Sequence, residues 1–215
     1  MPKPQRRVVR SIAPKLHIFC EGEKTEPDYF RHYLSLKDKE SLSGSSRDPV
    51  VVIEQRKKNT PVQLVEEAVD KKKNYLEGDE VWVVYDRESE GRYPDSLHAK
   101  ARKKADANGV RIALSNVCFE FWLLLHFEYT AAAYNSCDQL LENSKLARQH
   151  IPNYEKGKAR KYSDKEIEMA RKNAVRLNQQ TMNGADPAWT QPHQWNPYTD
   201  VYKLLDAIDA WLSEA

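Results

Sequence analysis

The sequence predicts an α/β fold: a mainly parallel sheet flanked by helices, with a helical C-terminal extension. Three observations carry that expectation. Four short apolar runs alternate with stretches whose apolar residues recur at helical spacing. The runs are apolar at consecutive positions, as strands covered on both faces require. After about residue 135 the alternation stops and only helical spacing remains.

The elements follow in chain order. A basic tail, residues 1–14, carries Lys3, Arg6, Arg7 and Arg10, and Leu16–Cys20 (LHIFC) then reads as a buried strand. Thr25-Glu26-Pro27-Asp28 supplies a capping threonine, a proline in the first turn and early acids, the signature of a helix start. Tyr29, Phe30, Tyr33 and Leu34 give that helix its apolar face. Residues 41–49 are polar and expected to loop, and residues 50–53 to form a second strand. Thr60-Pro61-Val62-Gln63 repeats the capping pattern before Leu64, Val65, Ala68 and Val69. Residues 81–85 (VWVVY) form a third strand, 94–107 a basic helix, 111–114 a fourth strand and 118–127 a very apolar helix. Together these define an α/β domain over residues 15–134. In the helical region, residues 135–215, Ser163 and Glu166 make a capping box before Ile167, Ala170, Ala174 and Leu177. Thr199 is expected to cap a last helix with Val201, Leu204, Leu205, Ile208, Trp211 and Leu212 on one face. A Pro/Trp-rich loop, residues 182–198, lies between the two helices.

Composition narrows the function. The chain has 215 residues, 40% of them hydrophobic, enough for one core and an appendage. Its net charge of +2 gives no global field that would announce nucleic acid, although basic residues cluster at 71–73, 102–104 and 156–161. Cys20, Cys118 and Cys137 share no metal-ligand spacing and are expected to be free thiols in a reducing compartment. No apolar segment reaches the roughly 18 residues of a membrane span and no signal-peptide pattern is present, so the expected location is cytoplasmic.

The chemistry turns on FCEGEKTEPDYF, residues 19–30. A phosphate loop needs G-x-x-x-x-G-K-[ST], whereas Gly22 is the only glycine here and Glu21 and Glu23 would repel the anion. The alternative is that Gly22 permits a tight exit from the strand and leaves the Glu21 carboxylate at its end. The third strand also ends in acid, since VWVVYDRESE puts Asp86, Glu88 and Glu90 just past the apolar run. Carboxyl ends of parallel strands share one edge of the sheet, so Glu21 and Asp86 should converge there. Their mutual repulsion would be relieved by a hard cation such as Mg²⁺. The plainer reading is that such acids cap the next helix or face water.

An apolar strand ending in Glu-Gly, followed by one ending in Asp-x-acid, resembles the Toprim domain of topoisomerases, bacterial primases and nucleases of the overcoming-lysogenization-defect class. Three longer segments resemble the RloB/AbiLii family of phage-defence proteins. They are CEGEKTEPDYF from Cys20, SNVCFEFWLLLHFE from Ser115 and WNPYTDVYKLL from Trp195, and they span nearly the whole chain. The resemblance implies a Toprim-like (Rossmann-like) fold and a Mg²⁺- or Mn²⁺-dependent nuclease acting on DNA or RNA. It implies an antiviral role beside a separately encoded ATPase of the AAA/ABC type, with homo-oligomerisation also open. By the same resemblance Glu21 serves in acid/base chemistry or metal binding and Asp86 opens the metal-binding pair. Glu88 stands where the family pattern has aspartate, so Glu88 or Glu90 completes the site, or the chain is a non-catalytic subunit that binds nucleic acid or the ATPase.

Several residues have two readings each. Glu26 is a further metal ligand or an acid favouring the helix dipole. Asn116 caps the next helix or touches phosphate, and Glu120, a charge in an apolar helix, needs a basic partner or the metal site. His126 reads as a satisfied core histidine. Lys24, Lys156, Lys158, Arg160 and Lys161 are the candidates for phosphate contacts, against a merely solvated face. Trp189 and Trp195 stack bases or pack on the core.

Overall fold

A five-stranded sheet runs through the molecule in the order β2-β1-β3-β4-β5. The computed structural model describes residues 13–40, 50–55, 57, 60–158 and 160–214. The basic residues of the N-terminal tail and the loop expected at 41–49 lie outside the described residues. The strands are β1 (Leu16–Cys20), β2 (Val51–Ile53), β3 (Glu80–Asp86), β4 (Arg111–Asn116) and β5 (Tyr198–Thr199). β1 pairs in parallel with β2 and β3, and β3 with β4, so the expected parallel sheet is present. The helices are α1 (Thr25–Glu40), α2 (Pro61–Lys72), α3 (Asp95–Ala107), α4 (Phe119–Leu124), α5 (Cys137–Asn143), α6 (Asp164–Gly184) and α7 (Val201–Glu214).

Strand residues alternate between two cores, which is why the middle of each long strand is mostly apolar on both faces. Leu16, Ile18, Trp82, Val84 and Ala113 face one core, completed by α1, α4, α6 and α7. Phe19, Val81, Val83, Tyr85, Ile112 and Leu114 face the other, closed by α2 and α3. Burying so many whole Leu, Val and Ile side chains, at about 1.5–3 kcal/mol each, is what holds the layers together.

Several local expectations are corrected. The region after residue 135 is not helical only: β5 adds to the sheet antiparallel to β4, pairing Ser115 with Thr199 and Asn116 with Tyr198. A two-residue strand is too short to leave a periodic signal. Thr199 therefore sits in a strand, where its hydroxyl bonds Ser115 Oγ at 3.0 Å and also accepts from the Val201 N–H. The helix expected at 118–127 is only α4, and the Asn173 amide from α6 donates to the Leu125 carbonyl (2.8 Å) where it ends. Thr25 does not cap α1; its hydroxyl accepts the Gly157 N–H at 3.1 Å, tying the start of α1 to the distant 155–158 turn. Thr60 occupies the N-cap of α2 without a side-chain cap bond, whereas the Ser163–Glu166 capping box is present on α6. Cysteine chemistry also differs: Cys118 and Cys137 form a disulfide (Cα–Cα 5.7 Å), and Cys20, which is buried, stays outside it as a thiol. Cys118 is the N-cap of α4 and Cys137 opens α5, so packing those two helix starts together brings together thiols 19 residues apart. Among the described residues no helix is long and apolar enough to cross a membrane.

Arg87, which the sequence did not single out, locks the loop after β3 to the C-terminal region. Its buried guanidinium donates to the carbonyls of His193 (3.0 Å), Tyr93 (2.9 Å) and Glu88 (3.2 Å) and pairs with Asp95 (2.7 Å). Arg87→Met leaves those carbonyls without their donor and should cost about 3 kcal/mol, a thermal midpoint lower by roughly 10 °C. Arg92→Met, removing an exposed partner of Glu88, should stay within about 0.5 kcal/mol in the same melt.

Candidate functional site

The carboxyl ends of β1 and β3 open into a cleft of about 350 Å³ lined by Glu21, Gly22, Lys24, Glu26, Asp86, Glu88, Glu120 and Lys156, among others. The backbone N–H of Glu21 donates to the Val84 carbonyl (2.8 Å), so the ladder continues one residue past β1 and fixes that side chain at the sheet edge. Its Oε2 accepts the Asp86 N–H (3.0 Å) and its Oε1 accepts the Tyr93 hydroxyl (3.2 Å). Burial pushes the Glu21 pKa up to about 7, outweighing those two hydrogen bonds, and the neighbouring Glu88 and Glu26 add to the rise.

Asp86 ends β3. No described side chain donates a hydrogen bond to its carboxylate, and its pKa is held well above the usual range by burial and then by Glu26, Glu21, Glu120 and Glu88. Glu26, in the first turn of α1, is buried; its Oε1 accepts the Gly22 N–H at 3.0 Å. Burial first, and then the Glu120 charge, raise its pKa. A Cβ on Gly22 would lie 1.8 Å from Glu26 Oε2, so only glycine leaves room for this carboxylate. Glu88 has a positive φ of 56°, its backbone N–H donates to Val117, and its carboxylate turns to Arg92 at 2.8 Å. Glu120, 2% exposed, accepts the Tyr154 hydroxyl at 2.7 Å. Its other oxygen lies 3.1 Å from Cys137 Sγ, which as half of a disulfide has no proton to donate.

Lys156 reaches into this acidic setting from the 155–158 turn, 3.8 Å from Glu120. Burial lowers its pKa, but Glu120, Asp86, Glu88 and Glu26 outweigh that and leave it raised. Of the two partners weighed for it, Glu120 thus has the basic one, and it lines the same cleft as the other acids. Tyr93, Tyr154 and Arg92 hold the acids in place and were missed by the sequence reading. Tyr154 is 34 residues from Glu120, a separation that leaves no local signal.

The remaining candidates lie elsewhere. Glu90 is exposed and lines a neighbouring depression. Asn116 neither caps α4 nor reaches the cleft, since its amide donates to the Trp195 carbonyl at 2.8 Å and Cys118 occupies the cap. Lys158 pairs with Glu155, and Arg160 pairs with Glu166 while lying 4.4 Å over the Phe127 ring. Lys161 is exposed and outside the cleft, so Lys24 and Lys156 are the candidate cations that line it. His126 is a satisfied core histidine, bonded to the Tyr29 hydroxyl and the Trp122 carbonyl. Among the described residues no three carboxylates place oxygens within 4.8 Å of one another. The acids share one cleft without closing into a triad, as like charges drawn to separate donors would.

A family profile described as RloB-like protein matches residues 16–208. No curated protein and no solved structure matches the chain.

The raised Glu21 pKa sets a pH dependence. Between the ordinary value of 4.5 and about 7 the folded chain holds a proton that the unfolded chain has lost. This contribution to stability is therefore full below about pH 4.5 and lost as the pH rises through about 7. Melts of metal-free protein over that range should show the decline, and Glu21→Gln should make it shallower while Glu90→Gln leaves it unchanged.

Proposed function

The chain belongs to the RloB-like family, and from that premise we propose that it is a metal-dependent nuclease hydrolysing phosphodiester bonds in antiviral defence. The observation that carries this reading is the gathering of Glu21, Glu26, Asp86, Glu88 and Glu120 around one open cleft, with Asp86 lacking any described donor. The donor set is all oxygen, as Mg²⁺ or Mn²⁺ prefers, and a cation would relieve the repulsion that raises these pKa values. Asp86, Glu26, Glu21 and Glu88 would hold it. A bound ion supplies charge neutralisation at the scissile phosphate and a more acidic water.

The chain's own groups account for the rest. Glu21, fixed at the sheet edge, is the carboxylate suited to take a proton from the attacking water. Tyr93 holds its Oε1 and the Asp86 N–H its Oε2, so its position does not depend on the ligand. Lys24 and Lys156 place positive charge in an acidic cleft that would otherwise repel a phosphodiester. Lys156, already beside Glu120, stands ready to meet a phosphate oxygen. The sequence has no phosphate loop, and ATP hydrolysis is assigned to a separately encoded ATPase. One observation favours a non-catalytic binding subunit instead: Glu88, in place of the Toprim pattern's aspartate, is turned to Arg92.

Incubation with plasmid, single-stranded DNA and transfer RNA, with and without Mg²⁺ or Mn²⁺, decides between them. The nuclease should cleave only with metal, and metal should raise its melting temperature. Asp86→Asn and Glu21→Gln should lower cleavage by more than about 100-fold, and Lys156→Met by about 10- to 100-fold, with Glu90→Gln close to wild type. Full metal-dependent cleavage by Glu21→Gln would show that Glu21 is only a turn residue. A wild-type chain with neither metal response nor cleavage would be the binding subunit.

A further inference from the structure

On the far side of the loop after β3 lies a second depression, of about 480 Å³. Glu88 lines both it and the acid cleft, so the two are neighbours across one side chain. Its chemistry is different. Trp189, Tyr134, His193, Asn135, Gln194 and Asn196 line it. Its guanidinium, Arg87, is committed to three carbonyls and Asp95, while Glu88 and Glu90 add negative charge. A phosphate is unwelcome in such a place. A flat, uncharged ring carrying hydrogen-bonding edges is not.

Trp189 supplies the platform. It is 47% exposed, the one strongly exposed large aromatic among the described residues. Its backbone is nevertheless held: its N–H donates to Asp186 (2.8 Å), and its carbonyl accepts the Trp195 indole N–H (3.2 Å). Trp195 in turn packs on Tyr198 of β5, ring centroids 5.2 Å apart. Of the two tryptophans, Trp195 packs and Trp189 is presented. The Gln194 carboxamide oxygen accepts the backbone N–H groups of Thr190 and Gln191 (3.0 Å each), which fixes this lining side chain.

We propose that this depression receives an unstacked nucleobase on Trp189, from a single-stranded segment whose backbone passes over Glu88 into the acid cleft. The proposal rests on the nuclease reading for the direction of the strand, and it names the substrate class as single-stranded nucleic acid. Stacking on an aromatic side chain with amides at the edge is how unpaired bases are held, and a duplex keeps its bases out of reach.

The test is binding, measured apart from cleavage. Fluorescence anisotropy of labelled 12-nucleotide DNA and RNA strands, of a duplex of the same length and of an abasic 12-mer is recorded in EDTA with the full chain. Either single strand should bind at least tenfold tighter than the duplex or the abasic strand. Trp189→Ala should weaken single-strand binding roughly 10- to 100-fold, with the melting temperature and the slope of affinity against salt unchanged, because no phosphate contact is lost. Trp189→Phe should recover most of the affinity. Equal binding of single strand, duplex and abasic strand overturns the proposal. So does wild-type affinity in Trp189→Ala, or the absence of any binding. Single-strand preference lost in Trp189→Ala, in a chain that cleaves nothing with metal, would instead sustain this site and defeat the nuclease reading.

Discussion

The carboxylates crowded around one cleft are the constraint from which much of this structure follows. Four of them are drawn toward different donors: Glu21 toward the Asp86 N–H and Tyr93, Glu26 toward Gly22, Glu88 toward Arg92 and Glu120 toward Tyr154. Asp86 alone is left facing the others, and Lys156 supplies positive charge among them. Placing like charges together in a partly buried site is unfavourable by itself, and a fold that retains the arrangement must hold it with rigid elements around it. The strand ladder beyond Cys20, the bare Cα of Gly22 and the Arg87 clamp are those elements.

What was legible in the sequence was what depends on local pattern. The four parallel strands declared themselves because each is covered on both faces and therefore carries an apolar run. Glu21 and Asp86 could be placed because parallel strands with alternating helices put all carboxyl ends on one edge, whatever the details of packing. Other features depend on residues meeting across long separations, and no local pattern encodes them. Thr25 reads as a helix cap by its neighbours, yet its hydroxyl serves Gly157, 132 residues away. Asn116 reads as a cap for the same reason and is instead committed to the Trp195 carbonyl, 79 residues on. The pairing of Cys118 with Cys137 required knowing that α4 and α5 meet at their first turns. The KGKARK run shows the limit of composition: of its four basic side chains Lys156 alone lines the cleft, while Arg160 covers an aromatic ring.

The C-terminal region is thus more than an appendage. Through β5 it completes the sheet, through Lys156 it enters the cleft, and through Trp189 and the turn at Pro192–Gln194 it builds the wall of the second depression. A division of the chain near residue 135 describes the pattern of periodicity, and the cores ignore it: Val117, Trp122, Leu177 and Leu204 belong to one cluster.

The bond from Arg87 to His193 spans 106 residues, and this has a consequence for how the protein comes into being. At translation rates of about 5–20 residues per second, a ribosome needs roughly 5–20 s to deliver the carbonyl that this guanidinium awaits. Until it ends β4 lacks its neighbour β5, and for more than half of it the cleft also lacks Lys156, so the acids face one another without it. The growing chain therefore carries an unfinished and self-repelling centre until its last stretch emerges. A polypeptide cut short before that point has the acids but not the frame that makes them a site.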